Sequence, residues 1–267
     1  MEKKVYIGVG HGGKDPGATA NGFKEKDLNL VIALSCQAEL VRHGVLTQID
    51  RTKDMDRDLS ATIKACNAYK PDLALDIHNN AGGGDGAEVY HTISGGTGKT
   101  LADNILTEMV KIGQNSRGAK TKKNSNGKDY FGFIRQTTCP AVIVECAFVD
   151  NKTDIKIIDT EAEQKAMGVA IANGILKTLG IEYKEPKNEQ NTCKVTLPIL
   201  TKGDSGEAVK AMQNLLIGLG YSCGSKGADG DYGNGTEKAL HAFKKAVGLK
   251  VTSTCGIQTW SALLGIK

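Results

Sequence analysis

Apolar residues along this chain come in short runs that stop at small or charged residues, alternating with longer stretches whose apolar positions recur at helical spacing. Val5 to Val9, Val45 to Ile49, Leu73 to Ile77, Glu88 to Thr92, Phe131 to Gln136 and Ala141 to Glu145 read as strands, being short and rich in β-branched or aromatic residues. Between them, a helix opens at Glu25 and carries Leu28, Val31, Ile32, Leu34, Cys36, Leu40 and Val41 on a broad face before ending at His43 and Gly44. Ser60 to Tyr69 reads as a second helix, broken by Pro71, with further helices over Thr100 to Ile112 and Glu161 to Leu179. Arg51 to Asp58 and Gly82 to Gly86 read as loops, and Ser116 to Asp129 as a basic, mobile one. Strands alternating with helices predict an α/β domain over residues 1–180, a twisted and mostly parallel sheet flanked by helices.

The pattern then changes. Residues 181–196 are polar, lack apolar periodicity and include Pro186, which predicts a linker. Residues 197–267 hold Glu207 to Leu219 as a helix and then an internal echo. Gly233 to Thr236 precedes EKALHAFKKAVG, and Gly256 to Thr259 precedes WSALLG, each a glycine turn and threonine cap opening a helix. This predicts a small all-α three-helix domain.

Composition adds little but excludes some classes. The 267 residues suffice for one medium and one small domain, and the formal charge of +4 is a weak excess that suits an anionic surface no better than plain solubility. Nothing in it points to nucleic acid. No run is long and apolar enough for a membrane span, and the amino terminus has no signal-peptide pattern, which predicts synthesis in the cytoplasm and release by other means. Seven cysteines without a CxxC pair argue against a disulfide framework or a cysteine zinc site. Cys36, Cys66 and Cys146 read as small buried hydrophobes, while Cys223 and Cys255 share one domain and leave a pairing open. Cys146 adjoins Glu145, but no histidine stands near it in sequence to make it a nucleophile.

Candidate chemistry gathers where strands end. His11 follows the first strand among glycines, His78 follows Leu73 to Ile77, and Glu145 follows Ala141 to Val144. In one sheet, all three come out at the same edge, where ligands bind in open α/β folds. Glu25, at a helix start, can reach back over that edge. Two imidazoles and a carboxylate form the ligand set of a catalytic zinc site with a place open for water, and a second carboxylate can take that water's proton. There is no HExxH, and a single histidine at a strand end is more often structural; the joint occurrence carries the reading. His43 reads as a helix-end residue and His91 as structural, with a role as an extra ligand or proton donor the alternative.

GHGGKDPGA at residues 10–18, GFKEKDLNL at 22–30, DIHNNA at 76–81 and VECAFVDN at 144–151 resemble, in order and spacing, the zinc-dependent N-acetylmuramoyl-L-alanine amidases of bacterial autolysins and phage endolysins. That resemblance implies that His11, Glu25 and His78 bind Zn2+, that Glu145 is the catalytic carboxylate, and that the substrate is the amide joining N-acetylmuramic acid to the L-alanine of the stem peptide. LTKGDSGEAVKAMQNLLIGLGY, DGDYGNGTEKALHAFKKAVGL and GIQTWSALL resemble small peptidoglycan-binding modules, with Ser253-Thr254-Cys255 in place of a frequent Asp-Gly turn. Asp231, Tyr232 and Trp260 are open to a structural or a contact role. The missing signal-peptide pattern, together with the resemblance to a wall-binding module, predicts a phage endolysin that reaches the wall through a holin, with a bacterial autolysin or an inactive wall-binding protein as alternatives. Cleavage within the stem or deacetylation of the same polymer are the alternative reactions.

Overall fold

The computed structural model describes residues 2–185 and 196–265. Its contacts divide the chain into two compact units that meet in sequence near residue 186.

The first unit is built on a six-stranded sheet. Its strands are β1 (Lys4–Val9), β4 (Leu46–Ile49), β5 (Leu73–Asn80), β6 (Ala87–Tyr90), β7 (Ser116–Lys120) and β8 (Ala141–Phe148). They lie in the order β4-β1-β5-β8-β6-β7, all pairs being parallel except β6 with β8. A two-stranded hairpin, β2 (Thr19–Ala20) with β3 (Phe23–Lys24), precedes the first helix.

Strand alternation sorts the side chains into two layers. Val5, Ile7, Val9, Leu75, Ile77, Val142 and Val144 face the larger core, covered by α1 (Glu25–Arg42), α3 (Thr97–Lys111) and α5 (Glu161–Leu179). Tyr6, Ala74, Ala141 and Ile143 face the smaller one, with Ile63 and Cys66 of α2 (Leu59–Tyr69) and Phe133 and Ile134 of α4 (Gly132–Gln136). Both faces are covered, which is why the strands read as continuous apolar runs. Helix α5 opens with a Thr160–Glu163 capping box and closes at Gly180 in the left-handed region. A Cβ at Gly168 would stand 2.4 Å from the Ile32 carbonyl oxygen, so glycine there lets α5 lie directly against α1.

In this unit three expectations need correction. Phe131 to Gln136 forms helix α4, not a strand: it packs beneath the sheet, where Phe133 and Ile134 fill the smaller core against Tyr6, Ile63 and Ile143. The first part of the 116–129 loop is edge strand β7, whose Arg117 and Lys120 bind Glu88 of the neighbouring strand β6. The rest is tied by backbone bonds, including Tyr130 N–H to Lys122 O at 2.9 Å. Strands β5 and β8 also run through His78 and Glu145 instead of stopping there, with a register shift after His78.

The second unit packs α6 (Glu207–Gly218), α7 (Asn234–Ala246) and α8 (Ile257–Leu263) around Val209, Met212, Leu216, Leu240, Phe243 and Trp260. Helices α7 and α8 begin directly after Gly233 and Gly256, so Thr236 and Thr259 lie inside the first turn and do not cap it. Thr236 instead accepts from buried Gln213, whose Nε2 also reaches Asp229 Oδ1 and Asp231 O. The Ser253-Thr254-Cys255 loop is held by the buried Lys244 ammonium, which donates to Thr252 O (2.9 Å) and Thr254 O (2.6 Å), and by Tyr232 Oη donating to Ser253 O (2.8 Å). Trp260 Nε1 donates to Pro198 O, a structural use of that side chain. Cys223 and Cys255 are buried free thiols. Residues 186–195, the body of the expected linker with Cys193, lie outside the described residues.

Candidate active site

The sheet's parity places the site. His78 shares a face with Ala74 and Asp76 on β5, and Glu145 shares it with Ala141 and Ile143 on β8; the two residues are register partners. Cys146, the next residue, points into the opposite core, and burial pushes its thiol far up, which removes it as a nucleophile.

His11 leaves β1 after Gly10, whose N–H donates to Ile77 O. It sits at φ 60, a left-handed conformation that costs a non-glycine residue about 1–2 kcal/mol. The loop that imposes this is closed by reciprocal backbone bonds between Gly12 and Asp15, and is stapled from outside. Asp54 accepts from Gly13 N–H and from Lys26 Nζ, and Asp56 accepts from Lys14 N–H. Arg51, 3% exposed, donates to the carbonyls of Gly10 (3.1 Å) and Lys26 (2.8 Å). The charged 51–58 segment therefore braces the histidine loop, a task that its composition did not disclose.

Glu25, the first residue of α1, is 4% exposed. Its Oε2 lies 3.1 Å from His11 Nε2, and its Oε1 lies 2.9 Å from His78 Nδ1. The Ala18 and Asn79 N–H groups donate to the same carboxylate. Burial alone would raise this carboxyl, but the bonds to the two imidazoles and from Ala18 hold it well below the usual carboxylate range. The hydrogen bond to Glu25 raises His11, although burial opposes it. One donor atom from each of His11, Glu25 and His78 lies within 4.8 Å of the others. Two imidazole nitrogens and one carboxylate oxygen converging in this way fit a metal of borderline softness such as zinc, with one side of the tetrahedron left to a water or substrate oxygen.

The cradle has glycine walls. A Cβ at Gly10 would stand 2.3 Å from His78 Cε1, and one at Gly17 would stand 2.5 Å from Glu25 Oε2 and 2.6 Å from His11 Cδ2. Behind His78, Asp76 is 2% exposed and takes both bonds of Arg57 Nη2 at 2.9 Å, while Arg57 Nε donates to Asp50 Oδ2 at 2.8 Å. Burial would raise Asp76, and the charge of Arg57 brings it below the ordinary value instead.

Glu145 lines a cleft of about 250 Å³ with His78, Arg57, Leu59, Phe131 and Phe133. Its Oε2 is sealed from solvent without a hydrogen-bond partner, and burial lifts the carboxyl from 4.5 to about 7. Across the antiparallel pair, Glu88 faces it but is held by Arg117 and by Lys120. Thus all four residues singled out from the sequence meet in one place. His91 is buried and pairs with Thr92 O, and His43 pairs with Glu39 O at the end of α1. Sequence reasoning missed Arg51, Arg57, Asp15 and Asp76; for Asp76 the signal was its period-2 spacing from His78.

Residues 5–177 match the family described as N-acetylmuramoyl-L-alanine amidase, and residues 205–263 match a putative peptidoglycan binding domain. The chain is 35% identical over 202 residues to the endolysin of Bacillus phage SPP1, covering 71% of this chain and 72% of that protein. It is 34% identical over 182 residues to the N-acetylmuramoyl-L-alanine amidase CwlM of Bacillus licheniformis, covering 67% and 69%. Among solved structures, the amidase AmiC2 of Nostoc punctiforme superposes with a TM-score of 0.61 at 29% identity, over 67% of this chain and 97% of that one.

Proposed function

The chain belongs to the N-acetylmuramoyl-L-alanine amidase family and carries a peptidoglycan-binding domain, and from that membership we propose how its own residues open the wall polymer. His11 Nε2, His78 Nδ1 and a Glu25 oxygen hold one zinc ion, and Glu145 moves the proton. The observation that carries this reading is the convergence of the three donors within 4.8 Å beside Glu145, the register partner of His78.

When bound, zinc supplies Lewis acidity, polarising the amide carbonyl and bringing a water's pKa down to roughly 7. Glu145 accepts the proton of the attacking water and returns it to the amide nitrogen as the C–N bond breaks, because without that proton the nitrogen would have to leave as an anion. Its position supports both duties: a carboxyl lifted by burial to about 7 can take up and give back a proton near neutrality. Phe131, Phe133 and Leu59 make the cleft partly apolar, which excludes water around the scissile group. The bond cut is the one between the lactyl group of N-acetylmuramic acid and L-alanine.

The likeness to a phage endolysin supports action on the wall after release from the producing cell, and the likeness to Bacillus amidases supports an autolysin as the second reading. Among the described residues no helix is long and apolar enough to cross a membrane.

The test is digestion of purified peptidoglycan with and without a zinc chelator. New alanine amino termini that vanish with the chelator, and no new reducing sugar ends, are the expected products. Cleavage inside the stem or released acetate would replace this assignment by one of the other reactions. Glu145→Gln should keep its zinc and lose turnover; normal turnover in that variant would remove Glu145 from the chemistry.

A further inference from the structure

We propose that Asp15 is a positioning residue for the metal, fixing His11 in the one tautomer that can bind it. The inference rests on the zinc reading given above. His11 presents Nε2 toward Glu25 at 3.1 Å and turns Nδ1 outward, 2.7 Å from Asp15 Oδ2. An imidazole that binds a metal through Nε2 must carry its proton on Nδ1, and a carboxylate on Nδ1 both holds that proton and makes the ring a stronger donor.

Asp15 is itself prearranged. Its Oδ1 accepts from Gly17 N–H at 3.0 Å, and its backbone exchanges both bonds with Gly12. The whole arrangement lies within the loop that forces His11 to φ 60, so the imidazole is oriented from both ends. His78 is served less directly: its Nε2 lies 3.5 Å from Asp76 Oδ2, and Arg57 takes both oxygens of Asp76. Asp15 therefore has one oxygen for the loop and one for the ring, and its side chain, 66% exposed, supports no core.

Asp15→Asn separates these duties. An asparagine Oδ1 keeps the Gly17 bond, while its amide N–H₂ meets the imidazole N–H donor to donor and favours the tautomer that blocks Nε2. The experiment measures the zinc dissociation constant of the full chain and of Asp15→Asn by competition with a chromogenic chelator, alongside unfolding of both in excess chelator. The expected result is zinc binding weaker by tenfold or more with an unchanged unfolding midpoint. A dissociation constant within twofold of the parent overturns the proposal. So does a loss of affinity accompanied by a comparable fall in chelator-treated stability, since that describes a structural residue. A parent chain that binds no zinc overturns the site reading as well, and is distinguished by His11→Ala and the parent giving the same null stoichiometry.

Discussion

Glu145→Gln tests the buried carboxyl by stability as well as by turnover. The parent group goes from an ordinary 4.5 to about 7 on folding, and its Oε2 has no partner. At about 1.4 kcal/mol for each tenfold change in proton affinity, ionising it inside the fold costs about 3 kcal/mol, and its partial opening to the cleft brings this nearer to about 2. Because the folded value lies above the unfolded one, the protonated form favours folding: that stability is present in full below 4.5 and is lost as pH rises through about 7.

Glutamine keeps the shape but does not ionise. Whatever its amide costs is the same at both ends of the pH range and cancels in the comparison. In excess chelator, the stability difference between variant and parent should therefore shift by about 2–3 kcal/mol in the variant's favour between about pH 4 and about pH 8. Far-UV circular dichroism during urea unfolding reports the helices of both units, and the part of it that shifts should be the transition of the catalytic unit. Trp260, the only tryptophan, lies in the other unit, and its fluorescence transition should be the same in both proteins. A shift smaller than about 0.5 kcal/mol would refute the claim that this carboxyl is held unpaired in a low-dielectric setting.

Gly10→Ala places a methyl 2.3 Å from the His78 ring, so zinc stoichiometry and activity should both drop sharply; Gly22→Ala, which meets nothing within 4 Å but has φ +85, should cost only about 1–2 kcal/mol of stability and leave zinc bound. Arg57→Met strands Asp76 and Asp50 as buried carboxylates and should destabilise the catalytic unit by about 3–5 kcal/mol, read by urea unfolding; a loss under about 1 kcal/mol would show that the pair is dispensable. Lys244→Met leaves the carbonyls of Thr252 and Thr254 without their donor and should lower the stability of the small unit by about 2 kcal/mol in the Trp260 transition, with amidase activity on soluble substrate unchanged.

The sequence by itself determined the central strands and the long helices, and it singled out His11, Glu25, His78 and Glu145 as the candidate site. Those strands are short apolar runs buried on both faces, and their parallel order brings His11, His78 and Glu145 toward one edge even though β5 and β8 run on past the last two. Tertiary structure decided what local pattern leaves degenerate. A short apolar stretch such as Phe131 to Gln136 is helix or strand according to which cavity under the sheet Phe133 and Ile134 fill. Ser116 to Lys120 became a strand only because β6 offered it an edge. The contacts of Arg51, Arg57, Asp15 and Asp76 were decided the same way, because a charged side chain in sequence looks solvated until the fold shows which carbonyl, carboxylate or ring nitrogen lies beside it.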